Sequence, residues 1–280
     1  MRKKIFGFIA SIAFLLVVAG VFLMARYRES IEAAAPVNGK VDIGGYGLNV
    51  KVEGKGGPTV IFESGLGGGI GVWTNVQPEI AKLTRTFCYD RAGLGESDKS
   101  TLERTSANQV KELYTLLQKT KVKGPYIIVA HSIGGFNARL FADSYPEEVA
   151  GIIFVDSAHE EMFSLYKLIA PKEYESTRTE FVNPEGTFDD LLNSAAEVRK
   201  ARKKDALRNI PITVLSAENT DLKVPGPILV GWAQLQKDIS ALSDKSKQIT
   251  VKGAGHMIQD DNPQAIIDEI KEMISTISEK

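Results

Sequence analysis

Residues 130–135 read Ala-His-Ser-Ile-Gly-Gly and follow directly on the apolar run Tyr126-Ile127-Ile128-Val129. A serine between a buried strand and a helix, with small residues two before and two after it, stands on a tight turn that presents its hydroxyl for nucleophilic attack. The flanks here are Ala130 and Gly134, so the pattern is A-x-S-x-G. A five-residue pattern recurs by chance, and its strand-turn-helix context is what gives Ser132 weight over the alternative of a polar residue in a glycine-rich turn. A hydroxyl nucleophile needs a base to activate it, and the chain holds three histidines. His131 adjoins the serine and reads as a structural neighbour. His159 follows Asp156 by three residues and reads as a satisfied structural histidine, with a place in a pocket wall as the alternative. His256 lies in a Gly-Ala-Gly-His turn after the last β-type run. A loop there can carry an imidazole back over a sheet to serve as general base and then general acid. The chemistry open to such a pair is acyl transfer through an acyl-enzyme.

The elements that must position these residues are legible as alternating patterns. The stretch 41–54, VDIGGYGLNVKVEG, alternates apolar and polar positions around Gly44-Gly45 and predicts a half-buried hairpin. Short β-branched runs then follow at 59–63, 85–90, 126–130, 151–156, 212–217 and 247–251. Candidate helices lie near 75–82, 104–120, 134–144, 228–242 and 263–278. Runs that are apolar on both faces, separated by crossover helices, imply a mostly parallel sheet of about eight strands covered on both sides. The rhythm breaks once. From 157 to 210 there is helical patterning with Pro171, Pro184 and Gly186 as punctuation, which predicts a helical cap placed over the strand ends, where open α/β sheets bind ligands. Within it the run VRKARKKDALR (198–208) reads as a solvated helix face, with contact to anionic lipid as the sharper alternative.

Four ordered stretches, ESGLGGG (63–69), YDRAGLGESD (89–98), AHSIGG (130–135) and GAGHMIQDDNP (253–263), resemble the α/β-hydrolase fold family, and the resemblance covers essentially all of 41–278. It implies that the backbone N–H groups of Leu66 and Ile133 form an oxyanion hole, in which each preorganised donor is worth roughly 3 kcal/mol in the barrier. It also implies that His256 is the base. The family usually places its acid just past the following strand, where ITVLSAENTD offers Asp221 and Glu218. The Ala-Glu-Asn-Thr-Asp spacing is one residue longer than the family's Gly-Glu-x-Asp, and some members take the acid from the preceding strand end, here Asp156. The order of preference is Asp221, Asp156, Glu218. In YDRAGLGESD, Asp90 and Arg91 read as a buried pair that, with Gly93 and Gly95, fixes a loop beside the oxyanion turn. Cys88, in an apolar run, reads as core.

A serine at this position argues against the family's dehalogenases and epoxide hydrolases, whose nucleophile is an aspartate. The resemblance therefore implies a serine hydrolase cleaving a carboxylester or thioester of a small-molecule acyl substrate. A peptidase or another reaction on the same triad, or a non-catalytic binding module of the same fold, is the alternative. Composition fits this and excludes other classes. With 34 basic and 35 acidic residues the chain projects no strong field to gather nucleic acid. One cysteine excludes an internal disulfide, and three histidines cannot build a Cys/His metal cluster. No cofactor or metal is expected.

The first four residues carry three positive side chains, and 5–24 is then twenty residues without a charge. At 1.5 Å per residue this matches a ~30 Å hydrocarbon core. The expectation is a basic cytoplasmic stub (1–4), a transmembrane signal anchor (5–24), a linker (25–40) and the domain (41–280) outside the cell membrane. Secretion after cleavage of a signal peptide, with Ala33-Ala34-Ala35 as the cleavage region, is the alternative.

Overall fold

The strands cluster because their apolar residues alternate between two cores. The computed structural model describes residues 37–218 and 226–278. The expected stub and anchor (1–24), most of the linker and Asp221 lie outside the described residues. No helix among the described residues is long and apolar enough to cross a membrane.

The chain opens with the hairpin β1 (Asn38–Asp42) and β2 (Gly47–Glu53), so β1 begins three residues before the boundary expected at 41. The Asp42 carboxylate accepts the N–H groups of Gly44 (2.8 Å) and Gly45 (2.9 Å), which closes the turn. There follow β3 (Thr59–Glu63), α1 (Gln77–Ala81), β4 (Thr86–Tyr89), α2 (Ser106–Thr120), β5 (Tyr126–His131), α3 (Gly134–Ser144) and β6 (Val149–Val155). The insertion after β6 carries α4 (Met162–Ile169), α5 (Pro171–Glu180) and α6 (Phe188–Arg202). The chain returns through β7 (Ile212–Ala217), α7 (Gly226–Ser240), β8 (Ser246–Val251), α8 (Ile258–Asp261) and α9 (Pro263–Ser278). Among the described residues the sheet has eight strands in the order β1-β2-β4-β3-β5-β6-β7-β8, with β1 and β2 antiparallel to their neighbours and the rest parallel.

Successive side chains of a strand point to opposite faces, and the two cores follow that parity. Ile61, Ile128, Ala130, Ile152 and Phe154 pack under α2 and α3 with Leu113, Leu117, Phe136 and Phe141. Val60, Phe62, Ile127, Val129, Ile153 and Val155 pack on the other face with Trp73, Ile80, Ile266 and Ile270. Cys88 is fully buried in this second core. Because β3, β5 and β6 are parallel neighbours, their carboxyl ends lie along one edge of the sheet. Glu63 pairs in register with Ala130, and His131 with Val155. Ser132 and Asp156 are each one residue beyond the last of these pairs.

Candidate active site

Ser132 sits between β5 and α3 with a φ of 51°, in the left-handed region, which costs an L-residue about 1–2 kcal/mol. The turn is held in that shape from three sides. The Ser132 N–H donates to the Val155 carbonyl (3.2 Å), and the Ser132 carbonyl accepts from Gly135 N–H (3.0 Å) and Ala158 N–H (2.8 Å). The small flanks are required by close packing. A Cβ at Gly134 would lie 2.7 Å from the Ser64 carbonyl oxygen and 2.8 Å from that of Glu63. Both atoms are backbone of the neighbouring strand end and yield only if the sheet edge moves. Gly134→Ala is therefore expected to destabilise the fold by about 1–3 kcal/mol, the usual range for overpacking. A lower urea midpoint at unchanged slope is the expected reading, and an unchanged or higher midpoint would show that the strand end gives way.

His256 stands in the loop between β8 and α8. Its Nε2 is 3.0 Å from Ser132 Oγ and its Nδ1 is 2.7 Å from Asp156 Oδ2. A carboxylate only accepts, so Nδ1 carries the proton and Nε2 is free to take the serine hydroxyl proton. Asp156 is fully buried, and its other oxygen accepts from Ala217 N–H (3.1 Å) and Trp232 Nε1–H (3.1 Å). Among the described residues the carboxylate at Nδ1 is that of Asp156, because β6 adjoins β5 and delivers Asp156 next to the end of the serine strand. Asp221 lies outside the described residues. Glu218 is exposed and accepts the Gly253 N–H (2.8 Å).

The other two histidines hold structure. His131 is buried, and its Nε2–H donates to the main-chain carbonyl of His256 (3.0 Å). Burial, and then the neighbouring His256, push its pKa down to about 4, so its ring is neutral at neutral pH. His159 accepts Glu161 N–H at Nδ1 (3.0 Å) and donates from Nε2 to Asp238 (2.8 Å), beneath the cap. The basic run at 198–208 is largely paired: Arg199 with Glu161, Arg202 with Glu160 and Asp238, Lys204 with Asp143, and Arg208 with Asp205 and Asp244.

Among the described residues, the N–H groups of Leu66 and Ile133 meet no protein acceptor. Both residues share a cavity wall with Ser132. The turn carrying Leu66 is clamped by Arg91, as expected, but through partners other than Asp90. Asp90 and Arg91 do not pair with each other, which corrects the expected pair. Asp90 accepts Ile70 N–H (2.8 Å). Arg91, 2 % exposed, donates to the carbonyls of Ser64 (2.7 Å) and Gly65 (2.6 Å) and to Glu63 (2.7 Å), and pairs with Glu185 of the cap. Glu63 is further fixed by Tyr89 Oη–H (2.6 Å) and Asn137 Nδ2–H (2.9 Å). Glu63 opens the ESGLGGG stretch and was in view, but Glu185 lies in the cap with no motif around it.

The cavity in front of Ser132 has a volume of about 280 Å³ and is walled by Phe163, Phe181, Phe188, Leu191, Leu229 and Trp232, among others. No charged residue lines it among the described residues. Two of its hydroxyls, on Tyr166 and Thr177, bond each other (3.2 Å), and the third hydroxyl on the wall is that of Ser132, which bonds His256.

A family model described as alpha/beta hydrolase fold matches residues 58–211. The uncharacterized protein YqjL of Bacillus subtilis is 32% identical over 214 residues, spanning 76% of this chain and 82% of that protein. Among solved structures, a thermophilic esterase from Thermogutta terrifontis superposes with a TM-score of 0.64 at 19% identity, covering 87% of this chain and 99% of that one. Est816, described as an N-acyl homoserine lactone degrading enzyme, superposes with a TM-score of 0.62 at 15% identity, covering 83% and 99%.

Proposed function

The chain belongs to the alpha/beta hydrolase fold family, and from that premise we propose that it is a serine hydrolase that cleaves an ester-type bond of a small molecule with an uncharged, apolar acyl group. The observation that carries this reading is the continuous relay Ser132–His256–Asp156 at 3.0 and 2.7 Å, with Ser132 on the wall of a cavity also lined by Leu66 and Ile133, whose amides meet no protein acceptor among the described residues. Ser132 Oγ attacks the carbonyl carbon as its proton passes to His256 Nε2. The carbonyl π electrons move onto oxygen, where the two amides receive the charge. Collapse expels the alcohol or thiol, which takes the proton from His256, and leaves an acyl-enzyme. Water activated by the same imidazole then attacks the acyl carbon and releases the acid. Asp156 holds the tautomer and stabilises the imidazolium. That two similarly folded proteins are described as an esterase and a lactone-degrading enzyme supports an ester carbonyl as the target.

Esters of p-nitrophenol with acyl chains of increasing length test the reading. Each methylene buried in the cavity is worth ~0.8 kcal/mol, so kcat/KM is expected to climb about fourfold per carbon until the cavity is full and then to fall. A terminal carboxylate on the acyl chain must be desolvated without a partner, at several kcal/mol, so kcat/KM for such an ester is expected to drop by roughly 100-fold or more. A flat length series, or faster turnover of aminoacyl anilides than of any ester, would sink the ester reading.

We further infer that 5–24 is a membrane anchor, which the run of twenty uncharged residues after Arg2, Lys3 and Lys4 supports. The mass of the protein recovered from membranes distinguishes an intact anchor from a cleaved signal.

A further inference from the structure

The oxyanion turn is held from beneath by Arg91 and from the side by the cap. Glu185 lies in the loop between α5 and α6, and only 2 % of it is exposed. Its Oε2 accepts the Gly67 N–H (2.8 Å) and bonds Arg91 Nη2 (3.0 Å), and its Oε1 bonds Arg91 Nε. Gly67 immediately follows Leu66, which lines the cavity and whose own N–H meets no protein acceptor among the described residues. Arg91 in turn holds the carbonyls of Ser64 and Gly65 on the other side of Leu66. One cap carboxylate therefore closes a ring of hydrogen bonds around the peptide that would receive the oxyanion.

The loop is built to place that carboxylate. Asn183 Oδ1 accepts Glu185 N–H (2.9 Å), and the Asn183 carbonyl accepts Gly186 N–H (3.2 Å), which makes a tight turn with Glu185 near its tip. The Pro184 carbonyl seats against Gly93, where a Cβ would lie 2.9 Å from it. Burial by itself would raise the Glu185 carboxyl, but the Arg91 charge and the bonds from Arg91 and Gly67 outweigh it and hold the group below its ordinary value. The carboxylate thus remains ionised at neutral pH. On either side of this turn the cap supplies cavity wall, Phe181 before it and Phe188 after it.

We propose that Glu185 is a positioning residue for the oxyanion hole, so that the seating of the cap, and with it the filling of the cavity, aligns the Leu66 amide for catalysis. The proposal rests on the serine-hydrolase reading and adds a role for a cap residue that touches no substrate atom. A donor displaced by a few tenths of an ångström loses much of its effect, and deletion of a whole oxyanion donor costs about 10²–10³ in kcat. Glu185→Gln keeps an acceptor for Gly67 and loses the charge on Arg91; Glu185→Asp keeps the charge and shortens the reach. For both variants kcat on the best p-nitrophenyl ester is expected to fall about 10- to 100-fold, with KM within about twofold.

A purely structural role is separated by comparing each ester with its thionoester, whose sulfur uses oxyanion donors poorly. The oxo-to-thiono rate ratio is expected to fall by the same factor as kcat. An unchanged ratio, or a rise in KM with kcat intact, would overturn the proposal. The unaltered protein supplies a readout that needs no variant. In hydrogen exchange followed through a urea series, the Gly67 amide is expected to lose protection together with the amides of Glu185 and Gly186; a Gly67 amide that exchanges freely in the native protein, or stays protected after those two have opened, overturns the coupling. Failure of the underlying reading is distinguishable, because it appears as full activity in Ser132→Ala, whereas failure of this inference alone leaves Ser132→Ala inactive and the thiono ratio of the Glu185 variants at the unaltered value.

Discussion

Ser132→Ala is expected to lower turnover of p-nitrophenyl esters by about 10⁶-fold, the loss seen when the nucleophile of a comparable triad is removed. The protein should remain folded. The change deletes one oxygen that bonds only His256 Nε2, and alanine bears the left-handed φ of 51° at a cost similar to that of serine. A fluorophosphonate probe is expected to label the unaltered protein at Ser132 and to leave the variant unlabelled. The probe reports the reactive hydroxyl independently of substrate, so the result does not depend on having found a good ester. Labelling that persists in the variant, or esterase activity that survives it, would place the chemistry elsewhere. Well-folded, unaltered protein that never labels would favour a non-catalytic module of the fold.

Asp156→Asn carries the second large effect, about 10⁴-fold in kcat. Its origin is the tautomer. Asparagine can still accept from Ala217 N–H and Trp232 Nε1–H through its oxygen, which places its NH₂ group against His256 Nδ1. Nδ1 must then accept, the proton moves to Nε2, and the ring can no longer take the proton of Ser132. Asparagine is a cleaner probe than alanine. Alanine would leave the Trp232 and Ala217 donors unpaired in a fully buried site, at about 1–3 kcal/mol each, and would mix stability with catalysis. Asp221→Ala is expected to leave turnover unchanged. If it instead reproduces the loss and Asp156→Asn does not, the acid is Asp221. Melting curves for both proteins, run beside the kinetics, keep the comparison free of folding effects.

The rate losses expected at Ser132 and Asp156 differ in kind from the one expected at Glu185. The first two remove groups of the proton relay, whereas Glu185 acts on the geometry of an amide it does not itself supply. On that proposal the cap influences the chemical step without presenting a reacting atom. Cavity, cap turn and oxyanion turn share residues or direct bonds, from Phe181 and Phe188 through Glu185 to Gly67.

How much of this was legible in the sequence depends on the range over which each feature is encoded. The strands 59–63 and 212–217 coincide with β3 and β7, and the helices 134–144 and 263–278 with α3 and α9, because apolar periodicity and glycine or proline punctuation are local signals. Ser132 stood out because a tight strand-to-helix turn restricts its immediate neighbours, and His256 because its glycine-rich loop follows a recognisable last strand. In the fold these two side chains lie 3.0 Å apart.

The acid was not legible in the same way. In the sequence Asp221, Asp156 and Glu218 all end or follow β-type runs, and nothing local says which run ends beside the serine. That is decided by sheet order: β6 is hydrogen-bonded to β5 and β7 lies one strand further out. The partners of Arg91 were out of reach of the sequence for a related reason. Adjacent charges in sequence suggest a pair, but Asp90 and Arg91 point into different surroundings, and Arg91 finds its partners 28 and 94 positions away in Glu63 and Glu185. By itself the sequence marked the strands, the helices outside the cap, their order, and the serine and histidine that the fold brings together, since each is written within a dozen residues. Only the tertiary structure decided which carboxylate meets the imidazole and which cap carboxylate reaches Arg91 and Gly67, since a buried charge takes the partner that the fold brings within about 3 Å, whatever their separation along the chain.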